Sequence, residues 1–90
     1  MSKHLEIKIS GRVQGVFFRQ GIKDKAEELG LTGWVRNEPD GSVRVAAEGP
    51  EENLQKLIEW CRKGTELARI DKIEAEWGEA RGKFDKFEIW

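Results

Sequence analysis

The sequence predicts an α+β fold in which an antiparallel sheet carries two helices on one face. Apolar residues recur at every second position in some segments and at helical spacing in others, and the order of these segments is β-α-β-β-α-β. Glycine or proline stands at most of the boundaries between them. A chain of 90 residues is long enough for one domain and too short for two, so we expect a single domain over residues 1–90.

The first strand and the first helix differ in the spacing of their apolar residues. The apolar positions of the strand are Leu5, Ile7 and Ile9. Polar residues separate them, which is typical of a strand with one buried face. The apolar positions of the helix are Phe18, Ile22, Ala26 and Leu29. Gly11 is predicted to end the strand, and Gly30 to end the helix in a left-handed conformation.

A predicted hairpin and a second helix follow. Residues 33–37 and 43–47 are β-prone and flank the turn residues 38–41, Glu-Pro-Asp-Gly. Pro50 is predicted to take the first helical position and Gly64 to close the helix. The apolar stripe of this second helix is Leu54, Leu57, Ile58 and Cys61.

The last third of the chain completes the sheet. Alternating apolar residues over 73–77 predict a strand, and residues 87–89 predict a short terminal one. The whole order is that of the ferredoxin-like split βαβ arrangement, a two-layer α/β sandwich, with a short extra C-terminal strand. Because this fold hosts many unrelated functions, function has to be argued from a site.

The overall charge gives no reason to expect a polyanionic partner. The chain has 16 Lys and Arg against 17 Asp and Glu, and its formal net charge is -1. We therefore predict neither nucleic-acid nor membrane binding, so any anion site must be local. The N-terminal segment lacks the apolar run of a signal peptide, and no stretch reaches the roughly 18 apolar residues of a membrane helix. We predict a cytoplasmic protein and expect it to be a monomer.

The inventory of metal-binding and nucleophilic residues is short. Cys61 is the only cysteine and His4 the only histidine, which argues against a disulfide and against a zinc site. The carboxylates are scattered along helix faces, so we predict no metal and no cofactor. Cys61 lies on the apolar stripe and is predicted to be a core thiol. His4 precedes a strand without a nearby partner in sequence, and we expect it to be solvated.

The most informative segment is 11–19, Gly-Arg-Val-Gln-Gly-Val-Phe-Phe-Arg, between the first strand and the first helix. Its glycines let the backbone curl so that successive N–H groups can bind an anion. The helix start adds unpaired N–H groups and the positive end of its dipole. Arg19 would lie in the first turn and offer a planar fork to phosphate oxygens. On the residues alone, turn glycines with a solvated arginine remain an alternative, and the spacing matches no nucleotide-binding P-loop.

This segment resembles the signature loop of the acylphosphatase family. A second match follows in register, Gly-Trp-Val-Arg-Asn at 33–37 and Asp-Gly-Ser-Val at 40–43. Further matches are Glu-Gly-Pro at 48–50 with Trp60 in the second helix, and the Phe-Glu-Ile ending at 87–89. The resemblance therefore extends over nearly the whole chain.

The resemblance implies an enzyme that hydrolyses the carboxyl–phosphate bond of small acyl phosphates without metal, cofactor or covalent intermediate. It implies that Arg19 binds the phosphate through paired hydrogen bonds and that Asn37 positions the attacking water. The loop residues whose backbone would wrap the phosphate are Val13, Gln14, Gly15, Val16, Phe17 and Phe18. Without the resemblance, Asn37 would be interpreted as a turn residue bonded to its own backbone. Ile22 departs from the hydroxyl residue common at that position in the family.

Two other interpretations remain to be weighed. One is a non-enzymatic ferredoxin-like module that binds RNA or a regulatory ligand. An RNA-binding module would need exposed aromatic residues on its central strands and a basic face, whereas here Lys8 and Arg44 share those strands with Glu6. The other is an acylphosphatase-like domain that acts in carbamoyl transfer within a larger maturation protein, and the length of 90 residues argues against it.

Overall fold

The computed structural model describes residues 2–90, and it has the predicted order of elements. The elements are β1 (Ser2–Arg12), α1 (Phe18–Glu28), β2 (Thr32–Asn37), β3 (Val43–Pro50), α2 (Glu51–Lys63), β4 (Arg69–Glu79) and β5 (Phe87–Ile89). The strands form one sheet in the order β4-β1-β3-β2-β5. The ferredoxin-like α+β fold predicted from the sequence is therefore confirmed.

The sheet is antiparallel except at one edge. β1 and β3 are the central strands and pair antiparallel, with Ile7 opposite Val45. On the outer sides, β4 pairs antiparallel with β1, and β2 pairs antiparallel with β3. β5 pairs parallel to β2, with Ile89 opposite Val35. The short terminal strand thus extends the sheet on the side of β2 and makes it mixed, whereas the sequence had predicted an antiparallel sheet.

The core lies between one face of the sheet and the two helices. The strand residues buried there include Leu5, Ile7, Ile9, Val35, Val43, Val45 and Ala47. The helix residues buried against them are Phe18, Ile22, Ala26, Leu54, Leu57, Ile58 and Cys61. These are the alternating and stripe positions of the sequence, because a period of two fills one face of a strand and a period near 3.6 fills one face of a helix.

The helix ends show how local sequence sets the element boundaries. Gly30 follows the C-cap residue of α1, Leu29; it has φ 70°, and its N–H donates to Glu27 O at 3.0 Å. Gly64, with φ 66°, donates to Trp60 O at 2.8 Å and closes α2. Pro50 precedes α2 rather than occupying its first turn, because Pro50 still pairs with Ser2 as the last residue of β3.

The opposite face of the sheet carries a buried polar cluster that the sequence did not predict. His4 is only 7% exposed, and its Nδ1 lies 2.7 Å from Glu48 Oε2 while its Nε2 lies 3.1 Å from Glu6 Oε2. The expectation of a solvated His4 is wrong, because antiparallel pairing sets His4 directly opposite Glu48, 44 residues along the chain. We call His4, Glu6 and Glu48 the back-face cluster.

The segment before β5 covers this cluster. Arg81 N–H and Gly82 N–H each donate to the Glu48 carboxylate at 3.0 Å, and Phe84 stacks on the His4 ring at 6.3 Å. Burial raises the pKa of Glu48, but these two N–H groups and His4 outweigh it and hold the pKa below its usual value of 4.5. Every member of the cluster therefore has partners within the protein.

Candidate active site

The loop between β1 and α1 alternates between buried and outward-facing residues. Val13, Val16 and Phe18 are buried and join the core, which fixes the loop at both ends. Gly15 and Phe17 between them have φ 71° and φ 61°, both in the left-handed region. These two positions curl the chain, as the glycine pattern had predicted for Gly15. The left-handed Phe17 was not predicted, because a residue with a bulky side chain avoids this region.

The curled backbone leaves its N–H groups open. Within residues 2–90, no protein acceptor receives a hydrogen bond from the N–H groups of residues 14–19. The first bond of the helix runs from Gly21 N to Phe17 O, at 3.0 Å. Six successive N–H groups next to the positive end of the α1 dipole thus have no protein acceptor, and an anion could accept from them.

Arg19 lies in the first turn of α1 and lines a cavity of about 300 Å³. The other residues that line this cavity are Val13, Gly15, Phe17, Phe18, Gln20 and Ile89. In the part of the chain that the structure describes, no carboxylate lies within salt-bridge distance of the Arg19 guanidinium, whereas partly exposed cations such as Lys8 and Lys23 are paired. The structure therefore leaves a permanently charged group at the end of the loop without an internal counter-ion.

Two side-chain hydrogen bonds hold the loop against neighbouring elements. Gln14 Nε2 donates to Glu38 O at 2.8 Å and to Ser42 O at 2.9 Å, which ties the loop to the β2–β3 turn. Thr65 Oγ1, just after α2, donates to Val16 O at 2.9 Å. The sequence predicted only the backbone of Gln14 to be important. Its partners lie 24 and 28 residues away, so no local pattern could have indicated the role of its side chain.

Asn37 is the last residue of β2 and lies on the helix-facing side, in line with Val35. Its Oδ1 is buried and accepts no hydrogen bond from any residue between 2 and 90. Gln14 Nε2 donates a hydrogen bond to the carbonyl of the next residue, Glu38, and this bond connects the end of β2 to the loop. Asn37 is not among the residues that line the cavity, and neither are Gln14 and Val16.

The turn that follows Asn37 is held rigidly. Ser42 donates to Asp40 Oδ1 through its N–H at 2.9 Å and its hydroxyl at 2.6 Å, and Lys8 lies 3.0 Å from the same carboxylate. The Ser42 bonds and Lys8 lower the pKa of Asp40 well below its usual value. The turn that receives Gln14 is thus a fixed support for the loop.

The structure also bears on other kinds of chemistry. Cys61 is fully buried in the core as predicted, and burial raises the pKa of its thiol to about 12, so it is not an activated nucleophile. Among the described residues, no group of three or more His, Cys, Asp or Glu side chains is placed to hold a metal ion. None of the helices in residues 2–90 is long and apolar enough to cross a membrane.

Known proteins resemble this chain over nearly its whole length. The acylphosphatase family model matches residues 5–89. An acylphosphatase of Methylococcus capsulatus is 45% identical over 87 residues, which cover 97% of this chain and 95% of that protein. The crystal structure of an acylphosphatase from Bacillus subtilis superposes with a TM-score of 0.94 at 34% identity, over 98% of each chain.

The same architecture also occurs within a much longer protein. In the crystal structure of HypF from T. kodakarensis, a region matches 98% of this chain at 35% identity with a TM-score of 0.84, but it makes up only 12% of that protein. The relatives of matching length carry the acylphosphatase name, as does the family model that spans the chain. This chain therefore belongs to the acylphosphatase family.

Proposed function

We propose that this acylphosphatase hydrolyses the carboxyl–phosphate bond of small acyl phosphates with three parts of the site: the N–H groups of the 13–18 loop, Arg19 and Asn37. Its products are a carboxylate and inorganic phosphate. The observation that carries the proposal is the row of unpaired N–H groups that ends at an arginine without an internal counter-ion. An anion with several oxygens in the loop would accept from these N–H groups and pair with the guanidinium.

The phosphate would be held by the backbone of Val13 to Phe18 and by Arg19. The N–H groups suit the peripheral oxygens, because they are already oriented and need no reorganisation when charge builds up. Arg19 adds a bidentate, permanently charged donor. A single preorganised donor of this kind is worth roughly 3–4 kcal/mol in the transition state, so several together suffice for a substrate that is already activated.

Asn37 would place the water that attacks phosphorus. A buried acceptor without a partner costs about 1–3 kcal/mol, and a water that donates to Asn37 Oδ1 would remove that cost. An amide can hold this water without titrating, whereas a carboxylate at the same position would repel the phosphate dianion. Gln14 supports this role by tying the loop to the turn next to Asn37.

The proposed reaction is a single displacement at phosphorus. The water oxygen forms a bond to phosphorus, the bond from phosphorus to the acyl oxygen breaks, and the carboxylate leaves with the bonding electrons. The mixed anhydride has a good leaving group, so no strong base is needed, and a substrate phosphate oxygen takes the water proton. Catalysis then consists of positioning the water and stabilising the charge on the phosphoryl oxygens.

The proposal also includes the oligomeric state of the enzyme, its partners and its cellular location. The loop, Arg19 and Asn37 lie in one chain, so the proposed site needs no residue of a second copy, and we propose a monomer that acts on a free small molecule. The net charge of -1 gives no support for nucleic-acid or membrane partners, and we propose a cytoplasmic enzyme.

An RNA-binding function has less support. Such a module stacks bases on aromatic residues of its central strands. Here the outward side of β1 carries Glu6 and the buried His4, and the stacked pair Trp34 and Trp90 lies at the β2 edge. Within residues 2–90, the outward face of the central strands carries no Phe or Trp ring, and its cations Lys8 and Arg44 are already paired with Asp40 and Glu6.

The proposal can be tested with benzoyl phosphate beside p-nitrophenyl phosphate, each with and without EDTA. We expect hydrolysis of the acyl phosphate, little or none of the monoester, and no effect of EDTA. Inorganic phosphate should inhibit competitively and should raise Tm, since it binds the folded state alone. Preference for the monoester, or reversible inhibition by EDTA, would contradict the mechanism.

A further inference from the structure

One residue of the loop has a position that phosphate binding alone does not explain. Phe17 is 78% exposed, and it is the one residue other than glycine with a positive φ in residues 2–90. A ring in solvent forgoes apolar burial, and a left-handed conformation is unfavourable for a bulky side chain. Its neighbours Val16 and Phe18 are buried, so the loop turns this one ring outward at the cavity.

A second apolar side chain lies at the same cavity. Ile89 of β5 is 36% exposed and lines the cavity together with Phe17 and Arg19. β5 is well fixed there, because Ile89 pairs with Val35 and Trp90 N–H donates to Val35 O at 2.8 Å. The cavity therefore combines a charged, N–H-rich part with two exposed apolar side chains.

We propose that Phe17 and Ile89 form the subsite for the acyl group and give the enzyme a preference for apolar acyl phosphates, aromatic ones above all. This inference rests on the proposed function, since it takes the phosphate to be bound by the loop and Arg19. An acyl phosphate has two parts that match the two parts of the cavity. Its phosphate dianion matches the N–H groups and Arg19, and the organic group beyond its carbonyl matches Phe17 and Ile89. With the dianion in the loop, the organic group extends to the residues that line the rest of the cavity.

The size of the preference follows from the exposure of the subsite. A methylene in an enclosed apolar pocket changes kcat/KM by about 10-fold or more. Phe17 and Ile89 are partly open to solvent, so the phenyl group of benzoyl phosphate, though larger than the methyl of acetyl phosphate, should gain about 10-fold in kcat/KM. The preference should rise from acetyl to butanoyl phosphate, whose leaving groups are of nearly equal basicity, because apolar burial scales with area.

The test is the ratio of kcat/KM for benzoyl phosphate to that for acetyl phosphate, in the parent protein and in variants. Phe17→Asn removes the ring but keeps a residue that tolerates the left-handed conformation, so the loop backbone is preserved. Ile89→Ala shortens the other apolar side chain without touching the loop. Leu67→Ala is the matched control, because Leu67 is 63% exposed and does not line the cavity.

We expect the ratio to fall about 10-fold in Phe17→Asn, severalfold in Ile89→Ala and not at all in Leu67→Ala. The inhibition constant of inorganic phosphate, measured for each variant, shows whether the loop still binds the anion. If both site variants hydrolyse the two substrates with the parent ratio, the acyl subsite is disproved while the proposed function stands. If the parent protein hydrolyses no acyl phosphate, the proposed function fails and the subsite fails with it.

Discussion

The loop between β1 and α1 and the back-face cluster both contain several polar groups, but the two regions differ in whether those groups have partners. In the back-face cluster, Glu48 accepts two backbone N–H bonds and a histidine bond, and it is only 5% exposed. In the loop, the N–H groups of residues 14–19, the Arg19 guanidinium and Asn37 Oδ1 have no partner within residues 2–90. The polar groups of the back-face cluster are bonded to partners within the protein, whereas those of the loop and Asn37 are left to bind a ligand or water.

This difference separates structural from functional polar groups without reference to any relative. A buried polar group must be hydrogen-bonded in the working state of the protein. Where the protein supplies the partner, as at Glu48, removal of the group should lower stability. Where it does not, as at Asn37, removal should lower activity and leave stability unchanged or slightly higher. The variants below test this division in order of expected effect.

Arg19→Ala should have the largest effect. We expect kcat/KM for benzoyl phosphate to fall by about 10³-fold or more, because the variant loses a charged bidentate donor to the transferred phosphoryl group. The free energy of unfolding should hardly change, since no ion pair within residues 2–90 is lost. Arg19→Lys should recover only part of the activity, because an ammonium group cannot form the bidentate pair. Retained turnover in Arg19→Ala would remove this residue from the mechanism.

Asn37→Ala should lower kcat by about 10²-fold and change the inhibition constant of phosphate little, because it affects the water rather than the phosphoryl group. The free energy of unfolding should not fall, since an unpaired buried acceptor is lost. Asn53→Ala is a matched control. Its amide donates to Leu29 O at 3.0 Å, so stability should fall by about 1 kcal/mol with kcat unchanged. An equal loss of kcat and phosphate affinity in Asn37→Ala would argue against the positioning of water.

Glu48→Ala should lower the stability of the protein and leave its activity unchanged, the reverse of Asn37→Ala. The change leaves His4 and the N–H groups of Arg81 and Gly82 without their partner, and we expect urea unfolding to show a loss of about 1–3 kcal/mol. The kcat of the folded variant should match the parent. Glu79→Ala is the control, because this exposed carboxylate makes only a 3.7 Å ion pair with Lys3 and should alter stability little. A loss of activity in Glu48→Ala without a loss of stability would contradict the distinction between structural and functional polar groups.

The smallest effect is the dependence of stability on pH. The pKa of Glu48 is lower in the folded protein than its usual 4.5, so the folded state binds fewer protons than the unfolded state around that pH. The stabilisation is thus fully present above about pH 4.5 and is lost as the pH falls through the folded pKa. The pKa of Glu6 is also lowered, chiefly by its bond to His4, and adds to the effect. Urea unfolding of Glu48→Gln between pH 7 and pH 3 should show a flatter profile than the parent.

The local features of the fold could be predicted because each depends on neighbouring residues. Gly30 and Gly64 end their helices by adopting φ values that other residues avoid, and the two spacings of apolar residues identified the core. The start of α2 was placed one residue early, since Pro50 belongs to a strand pair that the local pattern cannot show. The loop was also located by sequence, although the physical pattern alone left a turn as an alternative and the family resemblance decided between them.

The sequence by itself determined the order of the elements, the buried face of each one and the position of the curled loop at Gly15, because these follow from periodicity and from the φ preferences of glycine. The tertiary structure decided the bond of Gln14 to the β2–β3 turn, the burial of His4 against Glu48 and the parallel place of β5. Each of these joins groups that are distant in sequence, and only the packing of the whole sheet sets which of them meet. The tertiary structure also decided the exposure of Phe17, because its two neighbours are buried in the core and its ring is therefore left facing the cavity.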